Sequence, residues 1–491
     1  MDYGRNCIIA IALVTVGAAI AAPRAAVAQR ATASAHPLAH ADSGCAGCPP
    51  ARPYLAVLSV LGSNVFLNRL DTWVLKVYDP AEGYWTRVSP QSWGDNIRSG
   101  WVWDADNFSI NMFGHPYQGG TYFRSGRTNG LNFWESVPLT FLGSVEWEFF
   151  GETTKPSLND FYNTGFGGIV VGEMVYRLVT LIRDNEAHGA VRVLRELVAF
   201  PLDPAGGLRR LVGGDFTRVY ANPGDRNPPL LALQVQSGLR QARDSGIAAK
   251  RVIRGLVVAE LSYGDAFLTP YRRPFDLFVA RALISPGATT ISGATTIGEL
   301  RIAGRLYAHE MTNPSASLRT FFTVRQKFEY TRSPAYKFGG QSLEAGVVTG
   351  FSPGTGVAVR AEAYAEAILM GAVDAPGAGD PGTPRTYDFG PGVGSDVTVS
   401  VQLRHFPVFS GRYHWGMVHS VSGSPADHFT QLPSLEAALP LTRTVGLGVY
   451  AGWYIRHSVY TDRPDESKTH RDLRAYLVWR TRPRPAAPAP Q

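Results

Sequence analysis

The chain has 491 residues, of which 45% are hydrophobic, 11% aromatic and 18% charged, with a net charge of +7 at pH 7. The apolar fraction excludes a disordered chain. The charged fraction, below the roughly 25% of soluble domains, together with 52 Gly and 34 Pro, points to strands and turns rather than a bundle of membrane helices. Only six of the 47 basic residues are Lys, and the Arg are spread along the chain, so no nucleic-acid footprint is present.

The chain opens on Arg5, an apolar core from Cys7 to Ala22, and the small residues Ala26-Val27-Ala28. This pattern predicts a secretory signal peptide over 1–28, cleaved before Gln29. Beyond it no run of 18 or more apolar residues is expected to cross a membrane as a helix. Residues 29–52, rich in Ala, His, Ser and Pro, predict a flexible leader. That leader holds Cys45 and Cys48, whose spacing among Ser, Gly and Pro favours a disulfide or idle thiols over redox or metal chemistry.

Residues 53–215 predict a helical domain. Apolar positions recur at helical spacing over Leu55–Val77, Leu131–Phe150, Phe161–Ile182 and His188–Phe200. Ser157-Leu158-Asn159-Asp160 offers N-caps for one of these helices. Residues 216–230, with Asn, Pro, Gly and charge, predict a linker.

From Leu231 the period changes to two. Leu300, Ile302 and Leu306 oppose Glu299, Arg301 and Arg305; Val397, Val399, Val401 and Leu403 oppose Asp396, Thr398, Gln402 and Arg404. Successive strand side chains face opposite sides, so such segments carry one apolar and one polar face. A soluble sandwich alternates too. Segment lengths of about 9–12 residues, mid-strand Arg and Glu, and aromatics near segment ends favour a barrel crossing a bilayer. About 12 segments are expected, near 231–241, 252–263, 275–284, 295–309, 319–332, 341–352, 355–370, 393–406, 411–423, 432–442, 444–460 and 471–481. The fold class is therefore α+β: an N-terminal helical region followed by an antiparallel outer-membrane β-barrel over 231–481, with a Pro/Ala-rich tail at 482–491. The predicted location is a bacterial outer membrane, with outer-membrane lipid and the barrel-assembly machinery as expected partners.

Distinctive blocks crowd residues 101–177. They are Trp103-Asp104, His115-Pro116-Tyr117, Arg127-Thr128-Asn129-Gly130, Asn132-Phe133-Trp134-Glu135, Trp147-Glu148, Pro156-Ser157-Leu158-Asn159-Asp160 and Gly172-Glu173 with Tyr176-Arg177. Together they resemble the bacterial family called domain of unknown function 3943, over about residues 54–215. The resemblance implies an envelope location and supplies no reaction. This chain departs from the family pattern at Thr128, where Ser is expected, and at Gln118, where His is frequent.

The candidate site residues are His115, Glu135, Glu148, Asp160, Glu173 and Arg177, with Arg127. Charges on apolar helices are costly unless paired, so these groups are expected to converge. Two function classes follow. In one, the groups are structural ion pairs in a non-catalytic barrel protein whose helices form a plug or a periplasmic domain, acting in transport, anchoring or envelope assembly. In the other, His115 and a carboxylate form an acid/base pair of an enzyme acting on lipid or glycolipid. No HExxH motif, closely spaced His pair or GxSxG elbow occurs in residues 101–177, so no metal or cofactor is expected. His405, His414, His419 and His457 are assigned to barrel strands, in the lumen or at a rim.

Overall fold

A computed structural model describes residues 50–76, 83–222, 226, 230–243, 251–285, 296–313, 317–354, 356–374, 385–404 and 406–481. The expected signal peptide, both leader cysteines, His405 and the Pro/Ala tail lie outside the described residues. The chain forms two compact units, split at Asp104, Met112 and Asn227. One is helical; the other contains every strand.

In the helical unit, α1 (Pro53–Arg69) runs into a π-helical turn, Leu70–Leu75. α2 (Pro90–Ser99) starts on a reciprocal cap between Ser89 and Ser92. α3 (His115–Thr128) and α4 (Phe133–Glu146) form a hairpin, and a π-helical turn, Trp147–Gly151, extends α4. α5 (Leu158–Tyr162) continues through a π-helical turn into α6 (Gly168–Ile182), followed by α7 (Gly189–Ala199) and α8 (Pro204–Val212). The run Leu158–Ile182 is long and apolar enough to cross a membrane by length and composition alone, and 78% of its apolar 18-residue window is buried inside the protein, as in a core helix.

The helix α3 has no apolar period in the sequence, because Pro116, Gly119, Gly120 and Gly126 erase it. Those glycines serve contact. A Cβ at Gly119 would overlap the Thr164 carbonyl, one at Gly168 would overlap the Gly119 backbone, and one at Gly172 would press on Phe123. The two helices α3 and α6 therefore meet backbone to backbone, as the Gly168/Gly172 spacing suggests.

The second unit is a closed antiparallel barrel of β1 (Leu231–Arg243), β2 (Arg251–Tyr263), β3 (Phe278–Ser285), β4 (Thr296–Glu310), β5 (Leu318–Arg332), β6 (Lys337–Phe351), β7 (Val357–Asp374), β8 (Tyr387–Leu403), β9 (Phe406–His419), β10 (Ala426–Pro440), β11 (Val445–Tyr460) and β12 (Glu466–Arg480). Pairing of β1 with β12, from Gln234↔Arg480 to Gln241↔Leu473, closes it. All twelve expected segments are strands. Several start earlier than alternation suggests: β6 and β8 carry Gly339-Gly340 and Gly390-Pro391-Gly392 near their starts, where glycine hides the alternation while backbone pairing continues.

The polar row points inward and the apolar row outward. Arg301 on β4 reaches Asp396 on β8, four strands away, and Gln236 on β1 reaches Glu436 on β10, which is possible only across the lumen. Outward-facing Val347, Val397, Val399, Phe409, Leu435, Leu447, Val449 and Leu477 are exposed. Ile302 also faces outward, yet it is 1% exposed, so it is not part of the open apolar wall.

Residues 105–112 group with the barrel rather than with the helices that flank them in sequence. They lie against outward residues at the end of the barrel remote from Leu231 and Arg480. Phe108 packs on Tyr330 and Tyr387, with centroids at 5.7 and 5.4 Å. Asn111 Nδ2 donates to Tyr387 Oη at 2.6 Å, and Met112 occupies the space a Cβ on Gly339 would need.

Candidate functional site

The seven candidate residues do not form one cluster. Six of them divide between the two ends of α3, and Glu135 stands apart. His115 and Arg127 are 12 residues apart, about 18 Å along a helix. Each charge found a local partner, so nothing forced them to a common centre.

At the first end, His115 opens α3 and Asp160 lies in the first turn of α5. His115 Nε2 is 3.3 Å from Asp160 Oδ1, and Thr164 Oγ1 is 3.3 Å from His115 Nδ1. Ser157 caps α5 by accepting from the Asp160 amide at 3.2 Å, and its own amide donates to Glu148 Oε2 at 2.7 Å. Asn159 Nδ2 donates to Asp160 Oδ1 at 3.0 Å and to Asp104 Oδ1 at 2.7 Å. A short parallel bridge, Val102↔Ser157, fixes the Trp103-Asp104 segment beside the Pro156–Asp160 loop. Distant sequence blocks thus assemble one polar centre in which Glu148, Asn159, Asp160 and Asn163 are all buried.

At the other end, Glu173 is wholly buried between two arginines. Arg127 Nε is 2.9 Å from Glu173 Oε2, and Arg177 Nε, one helical turn on, is 2.7 Å from Oε1. Arg127 also donates to the Leu131 carbonyl at 2.9 Å and stacks over Tyr176 at 4.4 Å. Glu135 joins neither end. It is exposed and completes a capping box, accepting from the Asn132 amide at 2.8 Å while Asn132 Oδ1 accepts from the Glu135 amide at 2.9 Å.

Three further polar centres escaped sequence reasoning. In the helical unit, Glu196 is held by Arg183 at 3.2 Å, Arg192 at 3.4 Å and Arg210 at 2.5 Å. Asp203 is held by Arg124 at 3.1 Å and Arg183 at 3.0 Å. Burial pushes the Asp203 carboxyl up, but Arg183 and Arg124 outweigh it and hold it below the usual range. The available signal was the i, i+4 pair Arg192/Glu196, which reads as an ordinary surface pair. Beside α1, Gln118 donates to Tyr122 Oη at 2.5 Å, and Asn64 links Tyr122 to Glu146. Burial pushes both the Tyr122 phenol and the Glu146 carboxyl up.

In the barrel, His428 Nδ1 is 2.8 Å from Ser458 Oγ and His428 Nε2 is 2.9 Å from Asp388 Oδ2. The trio has the order of a hydrolytic triad. However, all three side chains are fully buried, and Ser458 Oγ already accepts from Arg456 at 2.7 Å. Satisfied hydroxyl, imidazole and carboxylate inside a wall describe a structural network. His414 lies in the lumen, 3.7 Å from Asp396, whereas exposed His419 and half-buried His457 pair with Asp427 and Ser467. Among the described residues no group of three or more His, Cys, Asp or Glu has metal-binding geometry.

The match to known families falls on the helical unit. Residues 100–205 match the family model "Domain of unknown function (DUF3943)". This segment is a DUF3943 domain. Its span runs from the Val102 bridge to Asp203, and it holds both ends of α3 and most of the arginine network. Curated proteins give no match. Among solved structures, the NanC porin is 9% identical with a TM-score of 0.26, covering 50% of this chain and 98% of that one. The outer membrane channel DcaP of Acinetobacter baumannii is 9% identical with a TM-score of 0.21, covering 51% and 96%. A TodX monoaromatic hydrocarbon channel mutant is 8% identical with a TM-score of 0.22, covering 52% and 91%. All three align to about half of this chain.

Proposed function

We propose that the protein is exported to a bacterial outer membrane, where a closed, non-conducting barrel anchors the DUF3943 domain in a non-catalytic role in envelope structure or assembly. Its partners there are outer-membrane lipid and, during biogenesis, the barrel-assembly machinery. An even number of strands and an exposed apolar outer wall support the location. The observation that carries the non-conducting role is the lumen. Lys327 Nζ lies 2.8 Å from Glu366, 3.2 Å from Glu329 and 3.3 Å from Glu344, and the residue is only 1% exposed. Asp396 binds Arg412 at 2.6 Å and Arg301 at 3.4 Å from across the lumen. Ion pairs lining a water-filled channel would be exposed, and these are not. Purified protein in planar bilayers should show no steady conductance, while cell fractionation should place it in the outer membrane with heat-modifiable migration. Reproducible single-channel steps would overturn the closed-barrel reading.

A second reading rests on the His115–Asp160 contact, an acid/base arrangement suited to a lipid or glycolipid substrate. It requires that His115→Ala, folded and at matched abundance, reproduce the envelope phenotype of a deletion. Full complementation by that variant would remove it.

A further inference from the structure

Around a buried apolar core that includes Phe123, Ile169, Val170 and Val179, three stretches of the helical unit turn apolar rows outward. On α7 the buried positions are Arg192, Glu196 and Ala199, while Val191, Leu194, Leu197 and Val198 are exposed. On α8 the buried residues are Gly206, Gly207 and Arg210, and Leu208, Leu211 and Val212 are exposed. The helix α1 and its π-helical extension repeat the inversion. Asn64, Asn68 and Asp71 are buried, whereas Leu58, Val65, Phe66, Trp73, Val74 and Leu75 are exposed. A surface helix in water turns its charged face outward. Two helices, α7 and α8, do the reverse around paired Arg, Glu and Asp, and α1 does so in its second half around Asn64, Asn68 and Asp71, a polarity suited to lipid as solvent.

We infer that the helical unit is embedded in the interfacial and outer acyl layer of the bilayer, with the outward rows of α1, α7 and α8 contacting lipid directly. This rests on the outer-membrane reading of the barrel. Three observations favour lipid over a protein partner. The exposed side chains lie on several elements rather than in one groove. Their margins carry Trp and Tyr stacked with Arg, Arg69 over Trp73 at 5.2 Å and Arg87 over Tyr84 at 3.8 Å, a composition typical of a membrane–water boundary. Finally, only six residues of chain separate exposed Trp101 of the helical unit from Phe108, which packs on the barrel's Tyr330 and Tyr387. The buried ion pairs then have a reason: in lipid, arginines and carboxylates must satisfy one another.

The test uses the full chain carrying Cys45→Ser and Cys48→Ser, reconstituted into phosphatidylethanolamine/phosphatidylglycerol vesicles. A nitroxide is attached to Leu194→Cys or Phe66→Cys. Val399→Cys on the barrel's outer wall is the lipid reference, and exposed Glu186→Cys is the aqueous one. Collision with dissolved oxygen and with a water-soluble nickel chelate is measured by power saturation. Labels at 194 and 66 should match 399, with high oxygen and low nickel accessibility. A match to 186 would overturn the inference, as would exclusion from both reagents, which would mean that protein covers this face. An aqueous reading at 399 itself would overturn the outer-membrane assignment and the inference with it.

Discussion

Neutralising Glu173 should open the DUF3943 domain without touching the barrel. Its carboxylate is 0% exposed and lies 2.9 Å from Arg127 and 2.7 Å from Arg177, which are themselves nearly buried. Glu173→Gln keeps the shape and one acceptor but leaves two guanidiniums facing no charge. Breaking a buried pair by removing one partner costs about 3–5 kcal/mol, and the retained amide acceptor places this case near the lower limit. Hydrogen exchange of the full-length protein in detergent reads it directly. A loss of about 3 kcal/mol raises exchange through local opening by roughly 150-fold, and that rise should appear in peptides from α3 and α6 but not in β5–β8. Replacing all three residues by Met should restore much of the protection, since an apolar trio leaves no stranded charge. An increase below about fivefold in Glu173→Gln, equivalent to roughly 1 kcal/mol, would refute the buried-triad argument.

On the barrel, Val399→Arg should cost about 2–4 kcal/mol near mid-bilayer and reduce heat-modifiable barrel, whereas Gln402→Ala on the opposite face should stay within about 0.5 kcal/mol; equal effects would mean the faces are reversed. Arg301→Ala should cost more than Gln402→Ala, because it removes one of the two guanidiniums on Asp396 and leaves Arg412 alone; a wild-type melting profile would count against the network. For pH, Asp203 is held below the unfolded value of about 3.9, so its contribution is fully present above that pH and is lost as pH falls through the lower folded value. The acid-side loss of α8 protection should therefore flatten in Asp203→Asn, and an unchanged slope would exclude Asp203 as its source. Glu135→Ala, which removes a cap, should weaken α4 by about 1 kcal/mol and leave envelope complementation intact.

The barrel was legible because a strand has a period of two and a lumen that differs from lipid, so Val397–Leu403 and its polar partners declare their faces residue by residue. Its limits were blurred where glycine occupies the faces, as at Gly339-Gly340. The helical unit was less legible. Helix α3 carries Pro116 and three glycines, which break its pattern yet are what allow it to lie on α6. The local cap formed by Asn132 and Glu135 has a recognisable spacing, but only the fold separates Glu135 from the charged groups at the two ends of α3. The arginine network was invisible because Arg183, Arg192 and Arg210 come from three elements, and because an Arg beside exposed Leu is normally the solvent face.

That last misreading concerns the rule rather than the residues. Assigning the apolar side of α7 to a protein core presumes water outside, and Arg192 and Glu196 then belong on the surface. Their observed burial, with Leu194 and Leu197 outside, reverses the assignment without altering the period. Periodicity identifies two faces of a helix; it does not say which solvent each one meets. In this chain the same ambiguity is resolved for the strands by cross-lumen pairs such as Arg301–Asp396, which can form on one side only. For the helices it is resolved by closed ion-pair networks around Glu173, Glu196 and Asp203. In the barrel, as on α7 and α8, paired charges lie within and apolar side chains are exposed without.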